Sequence, residues 1–251
     1  MPITPAHAAA AWPLHRAFRR LPAAALVIGT MSPDLEYVLR MMPHGKFGHT
    51  PQGLFLFCLP ATLIVWWAWR AAIRPALTPL LPAGIRAAAE APPPGRASDA
   101  VPLAVMAALL GAATHILWDG FTHVTGWAVA LFPVMMRAPA RFPGLPWFAF
   151  GQYLSSVMGG LITLAWVLAE WRRWPPEARR FAPGERARLA RVALFVAAVS
   201  LGVGAVNATF ASELSARLGR AAVGTMAGVG VSLSMYAIWA ASQGRVATGD
   251  G

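Results

Sequence analysis

The chain has 251 residues, is 57% hydrophobic and only 12% charged, with a mean hydropathy of +0.53. Soluble domains carry about a quarter charged residues; the deficit here falls in long uncharged blocks, which excludes an ordinary soluble domain. The formal net charge of +11 does not point to nucleic acid, because the arginines flank and separate the apolar blocks, as in membrane proteins, and form no basic stripe interleaved with base-stacking aromatics.

The N-terminus, MPITPAHAAAAWPLHRAF, lacks the order of a secretory signal and is expected to be retained. Residues 7–18, apolar until Arg16, and 21–31 are two short stretches separated by Arg19 and Arg20, with Thr4 and Pro5 placed as a helix N-cap and first-turn proline. Helices of about 12 residues reach ~18 Å, too short to cross a ~30 Å hydrocarbon core. A re-entrant hairpin buried against other helices is the expected form, and it would bring His7 and Asp34 to one level. Next comes SPDLEY (32–37), where Pro33 ends the second helix, and then the loop PHGKFGHTPQG (43–53) with His44 and His49.

Five stretches are long enough to span: 53–70, 101–119, 151–170, 191–212 and 221–243. Pro60 is expected to kink the first, and Arg70 to snorkel at its end. Residues 75–100, with Pro92, Pro93 and Pro94, read as a flexible linker, and the Pro-rich but apolar stretch 133–149 as an interfacial or covering loop. In the last span Gly224, Gly228 and Ser232 form a row of small residues suited to close helix packing. Cys58 is the sole cysteine, so no internal disulfide and no cysteine-based zinc site can form. The fold expected is all-α: one polytopic membrane helical bundle of about five transmembrane helices plus the short N-terminal hairpin. Residues 172–191 carry seven Arg against two Glu, which places that loop and the C-terminus on the cytoplasmic side. The Arg- and Ala-rich composition suggests a GC-rich bacterial genome, and the expected location is the bacterial cytoplasmic (inner) membrane.

Ionisable groups at membrane depth are costly and are functional candidates. In HILWDGFTH, His115 and Asp119 are four apart on one helix face, and His123 joins them if the helix continues. Imidazole and carboxylate at that spacing can ligate one ion, or pair to hold helices together. Under the expected topology His7, Asp34, His49, His115 and Asp119 fall near the outer helix ends, a donor set suited to zinc or another borderline divalent ion, singly or as a pair. Glu36 and His123 are then candidates for general base or proton donor. No nucleophile elbow, P-loop, dinucleotide fingerprint or HExxH motif is present.

The segments MPITPAHAAAA, VIGTMSPDLEY, FGHTPQGL and HILWDGFTH together resemble the bacterial membrane-protein family known as domain of unknown function family 4184, over nearly the whole chain. A more distant similarity is to inner-membrane-associated metal-dependent hydrolases, carried by His7, by Pro33-Asp34-Leu35-Glu36, by His49-Thr50, and by His115 and Asp119 with Thr122, Gly126 and Pro133. That similarity implies a zinc-type hydrolase related to phospholipase C-like enzymes. The chain departs from the pattern at Glu36, where an Asp is usual, and at Pro51, where a Ser-containing run is usual.

These readings converge on a membrane-embedded metal-dependent hydrolase acting on a membrane lipid or another amphiphilic ester. The competing readings are a non-enzymatic membrane protein whose His and Asp residues are structural, and a proton or metal-ion transporter. Against the last, the sequence shows no internal repeat or matched pair of broken helices.

Overall fold

The computed structural model of the chain describes residues 4–90 and 100–244. Among them every regular element is helical, and five helices are long and apolar enough to cross a membrane. This is the expected all-α membrane bundle. The described residues group into two compact units, one falling within 1–35, 46–64 and 96–170, the other within 36–45, 65–95 and 171–251.

The first unit opens on a 3₁₀ segment, Thr4–Ala10, that runs into α1 (Ala11–Ala17). Pro13 falls in the first turn of α1, where backbone N–H groups have no intrahelical partner to lose. A turn then reverses the chain into α2 (Ala23–Met31), completing the expected hairpin. Pro33 converts the next residues into a 3₁₀ turn, Ser32–Asp34, followed by α3 (Leu35–Arg40), most of which belongs to the second unit.

The first long helix, α4, runs from Pro51 to Leu80. Two stretches of it, Leu54–Cys58 and Trp69–Ile73, are π-helical, and each directly precedes a residue–proline pair, Leu59-Pro60 and Arg74-Pro75. A proline ring clashes with the carbonyl four residues back in a regular helix. The wider turn just before each proline makes room for the ring, so the helix continues where the sequence suggests a kink. Arg70 lies over the Trp66 ring at 4.9 Å, which explains how α4 carries a cation past the expected end of the span. The stretch expected as a linker from residue 75 is therefore helical to Leu80 and again in α5 (Ala83–Glu90). Residues 91–99, with Pro92, Pro93 and Pro94, lie outside the described residues.

Five further α-helices follow among the described residues: α6 (Ala100–Thr122), a short α7 (Trp127–Leu131), α8 (Trp147–Arg172), α9 (Glu185–Ala208) and finally α10 (Leu214–Ser242). In the second unit α9 and α10 pack antiparallel through small residues. A Cβ on Gly228 would lie 2.5 Å from Ser200 Cα, and one on Gly224 would lie 2.8 Å from the Val203 carbonyl oxygen. Only glycine permits that approach. Asn207, buried in α9, donates to the carbonyls of Arg220 (2.8 Å) and Met41 (3.0 Å). Met41 has φ +51°, a left-handed conformation that is strained for a non-glycine residue. Its carbonyl also accepts from Arg220 at 3.3 Å, so two donors hold the turn that ends α3.

Candidate functional site

The site lies within the first unit and is assembled by close backbone approach. α2 crosses α6 at small residues: Ala104, Ala107, Ala108 and Ala112 are fully buried. A Cβ on Gly111 would stand 2.6 Å from the Leu26 carbonyl oxygen and 2.7 Å from the Thr30 nitrogen. This contact seats His115, one helical turn further on, against α2. Its Nδ1 lies 2.8 Å from the Thr30 carbonyl oxygen. A carbonyl can only accept, so Nδ1 carries the proton that it donates and Nε2 is left to face the site.

A second close approach delivers His49. A Cβ on Gly48 would meet the Pro33 carbonyl oxygen at 2.6 Å, so the 3₁₀ turn Phe47–His49 rests directly on the turn that carries Asp34. The Gly48 carbonyl also accepts from Cys58 Sγ (3.2 Å), tying this turn to α4. His7 arrives from the N-terminal 3₁₀ segment, whose Ala6 packs on Gly159 of α8.

These three arms and the end of α6 bring together His7, Asp34, His49, His115, Asp119 and His123. His115 Nε2 lies 3.2 Å from Asp119 Oδ2 and 3.5 Å from Asp34 Oδ1. His49 Nε2 lies 3.4 Å from each of the same two oxygens. One ligand atom from each of Asp34, His49, His115 and Asp119 falls within 4.8 Å of all the others. His7 Nε2 approaches the opposite oxygen of Asp119, Oδ1, at 3.3 Å, and its ring stacks on that of His115 with centroids 3.8 Å apart. His123 Nδ1 is 3.4 Å from Asp119 Oδ2 at the rim.

The separations carry chemical information. Strong hydrogen bonds between nitrogen and carboxylate oxygen span ~2.7–2.9 Å, shorter than any of these. Four donors at ~2.0–2.1 Å from one cation, tetrahedrally arranged, stand ~3.3–3.4 Å apart. The four His–Asp separations of 3.2–3.5 Å match that spacing, and the set, all within 4.8 Å, could hold a metal ion. Consistent with this, Asp34 Oδ1, His115 Nε2, Asp119 Oδ1 and both nitrogens of His7 are buried without a hydrogen-bond partner, a costly state unless a cation or a shared proton compensates it. Among the described residues no Arg or Lys pairs with Asp34 or Asp119; their ionic contacts are all to histidines.

The surroundings tune the outer members. Burial opposes ionisation of Asp34, but His115, His49 and the Thr4 hydroxyl, which donates to Oδ2 at 2.5 Å, hold its carboxyl well below the ordinary carboxylate range. Burial lowers His7 more than Asp119 raises it, and the neighbouring His115 lowers it further. For His49 the same burial is outweighed by Asp119 and Asp34, and the ring is raised. His123 is lowered by burial, with Asp119 acting in the opposite direction. His7 and His115 are 1% and 0% exposed, whereas the side chains of His49 and His123 are 20% and 23% exposed and form the mouth.

All five expected ligands are thus gathered, four as a single set and His7 against the far side of Asp119. Glu36, the other sequence candidate for acid–base work, belongs to the second unit, where its carboxylate accepts from Arg40 one turn on at 2.9 Å. His44 is exposed and His15 is half-buried in α1, and neither is among the residues gathered here. Thr4, read from sequence as a helix cap, instead serves Asp34. Thr30 was not legible as a site residue because it acts through its backbone carbonyl; the signal for Gly111 was its place one turn before His115 in an Ala-rich span.

Residues 1–238 match the model of a family described as Domain of unknown function (DUF4184). No curated protein and no solved structure matches the chain.

Proposed function

We propose that this chain, which belongs to the DUF4184 family, is a membrane-embedded metal-dependent hydrolase that holds one divalent cation, zinc by its donor chemistry, among Asp34, His49, His115 and Asp119. The observation that carries the metal reading is the four-residue set, three of its members buried, with one ligand atom from each within 4.8 Å of the others. Two carboxylates and two imidazoles suit a borderline divalent ion, and two anions neutralise its charge, which matters at membrane depth.

A bound divalent cation supplies Lewis acidity and an acidified water. The chain's own residues do the rest. Thr30 fixes the His115 tautomer, and Thr4 orients Asp34. His7 Nε2 lies 3.3 Å from the far oxygen of Asp119. His123, half-buried with Nδ1 toward Asp119 and reachable from outside, is placed to move a proton at the mouth. Glu36, engaged with Arg40, has no part in this proposal.

The substrate class follows from the chain beyond the mouth. Trp127, Leu131, Phe132, Val134, Met136 and Phe142 are all exposed. They make the stretch after His123 an apolar apron suited to the membrane interface, so an ester with an acyl or other apolar body, such as a membrane lipid, is the class proposed. The Arg-rich 172–191 region supports a bacterial inner-membrane protein with that region and the C-terminus in the cytoplasm.

A second reading has its own support: three of the four ligands are buried, as in structural metal sites. The separating experiment assays purified protein in mixed micelles against phospholipids and other amphiphilic esters. Hydrolysis that is lost on chelation, regained with zinc and reduced in His123→Gln supports the enzyme. Stoichiometric zinc with no turnover of any such ester leaves the structural reading.

A further inference from the structure

The second unit carries a feature that the metal centre does not use. Where the first turns of α9 meet the last turns of α10, a groove of about 590 Å³ is lined by Arg188, Arg191, Val192, Phe195, Met235, Tyr236 and Trp239. On α9, residues 188, 191, 192 and 195 share one face at helical spacing. Phe195 therefore lies ~10 Å deeper along the axis than Arg188. α10 runs antiparallel, so Trp239 stands near the arginines and Met235 stands deeper. The groove thus sets two guanidiniums and the paired Tyr236 and Trp239 rings (5.7 Å between centroids) beside an apolar lining of Val192, Phe195 and Met235.

Among the described residues no close ion pair neutralises the arginines, and Glu185, which feels the Arg188 charge, is engaged elsewhere. Glu185, the acidic residue one turn from Arg188, gives Oε1 to Arg86 (2.6 Å) and Oε2 to the Ala182 N–H (2.8 Å). Among the described residues neither Arg188 nor Arg191 forms an ion pair. Both helices are long and apolar enough to cross a membrane, and the groove lies at the basic end of the pair. Tyr and Trp favour the headgroup level, and basic pockets between spanning helices favour anionic headgroups.

We propose that this groove is a binding site for an anionic phospholipid of the bilayer, with the phosphate between Arg188 and Arg191 and an acyl chain along Phe195 and Met235. A guanidinium pair matches a phosphodiester bidentately, and the apolar lining accounts for a lipid rather than a free anion.

The test uses the full chain purified in detergent and native mass spectrometry of bound lipid. Phosphatidylglycerol is expected to be retained over phosphatidylcholine, with no competition from millimolar inorganic phosphate. The double variant Arg188→Gln/Arg191→Gln is expected to lower phosphatidylglycerol binding about thirtyfold, while Arg179→Gln/Arg180→Gln, outside the groove, leaves it unchanged. Met235→Trp, which crowds the apolar lining and keeps both arginines, is expected to weaken it as well, and serves if the double variant does not fold. Equal retention of the two lipids, displacement by phosphate, equal loss in both arginine pairs, or full binding in Met235→Trp would each overturn the proposal.

Discussion

Gly111 offers the sharpest perturbation of the site that touches no ligand. A methyl group there would lie 2.6 Å from the Leu26 carbonyl oxygen and 2.7 Å from the Thr30 nitrogen, against an ordinary contact of at least ~3.4 Å between packed atoms. Gly111→Ala therefore pushes α2 from α6 by roughly 0.7 Å, since packed interiors transmit strain rather than absorb it. The His115 Nδ1 to Thr30 carbonyl bond, 2.8 Å long, would stretch to about 3.5 Å, beyond useful hydrogen-bond length. Overpacking of this kind costs about 1–3 kcal/mol, and loss of the group that orients a metal-ligating histidine costs about 10–100-fold in metal affinity. The assay is zinc competition against a chromophoric chelator in detergent, run beside a thermal melt. Gly160→Ala is the control, because a Cβ there meets nothing within 4 Å. Wild-type zinc affinity in Gly111→Ala would refute the claim that this helix crossing positions His115.

Three further outcomes follow from the same geometry. Thr4→Val removes the hydroxyl that donates to Asp34 Oδ2; zinc affinity is expected to fall about tenfold, as for one hydrogen bond to a charged group, when measured by the same competition. Adding zinc to the chelated protein at about 100 times its dissociation constant is expected to raise stability by ~2.7 kcal/mol, read as an upward shift of the thermal or denaturant midpoint. Asn207→Leu, which breaks the bonds to Arg220 and Met41 in the other unit, is expected to destabilise the protein by about 0.6–2 kcal/mol and to leave zinc affinity unchanged.

Much of this was legible in the chain because membrane spans declare themselves by apolar length. The five long helices and the hairpin follow from that constraint alone. The His115–Asp119 contact was legible for a similar reason, since a four-residue spacing on a helix fixes two side chains on one face, here 3.2 Å apart. Helix ends were less visible. Hydropathy marks where a helix meets charge, but α4 passes Arg70 because the guanidinium lies over Trp66, and it passes Pro60 and Pro75 through π-helical turns. α9 and α10 likewise begin before their apolar blocks, at Glu185 and Leu214. Glu36 was an acid–base candidate from sequence, two residues after Asp34. The carboxylate's pairing with Arg40 depends on the helix that starts at Leu35 and could not be read from composition.

The central claim is that Asp34, His49, His115 and Asp119 together grip one divalent ion. Elemental analysis of the purified, detergent-solubilised protein, joined to X-ray absorption at the edge of the metal found, tests it directly. The account expects about one zinc per chain in a shell of nitrogen and oxygen donors at ~2.0–2.1 Å, lost in Asp119→Ala while Gly160→Ala retains it. A wild-type protein that binds no metal from a zinc-supplemented preparation, or an Asp119→Ala variant that keeps its full complement, would contradict it.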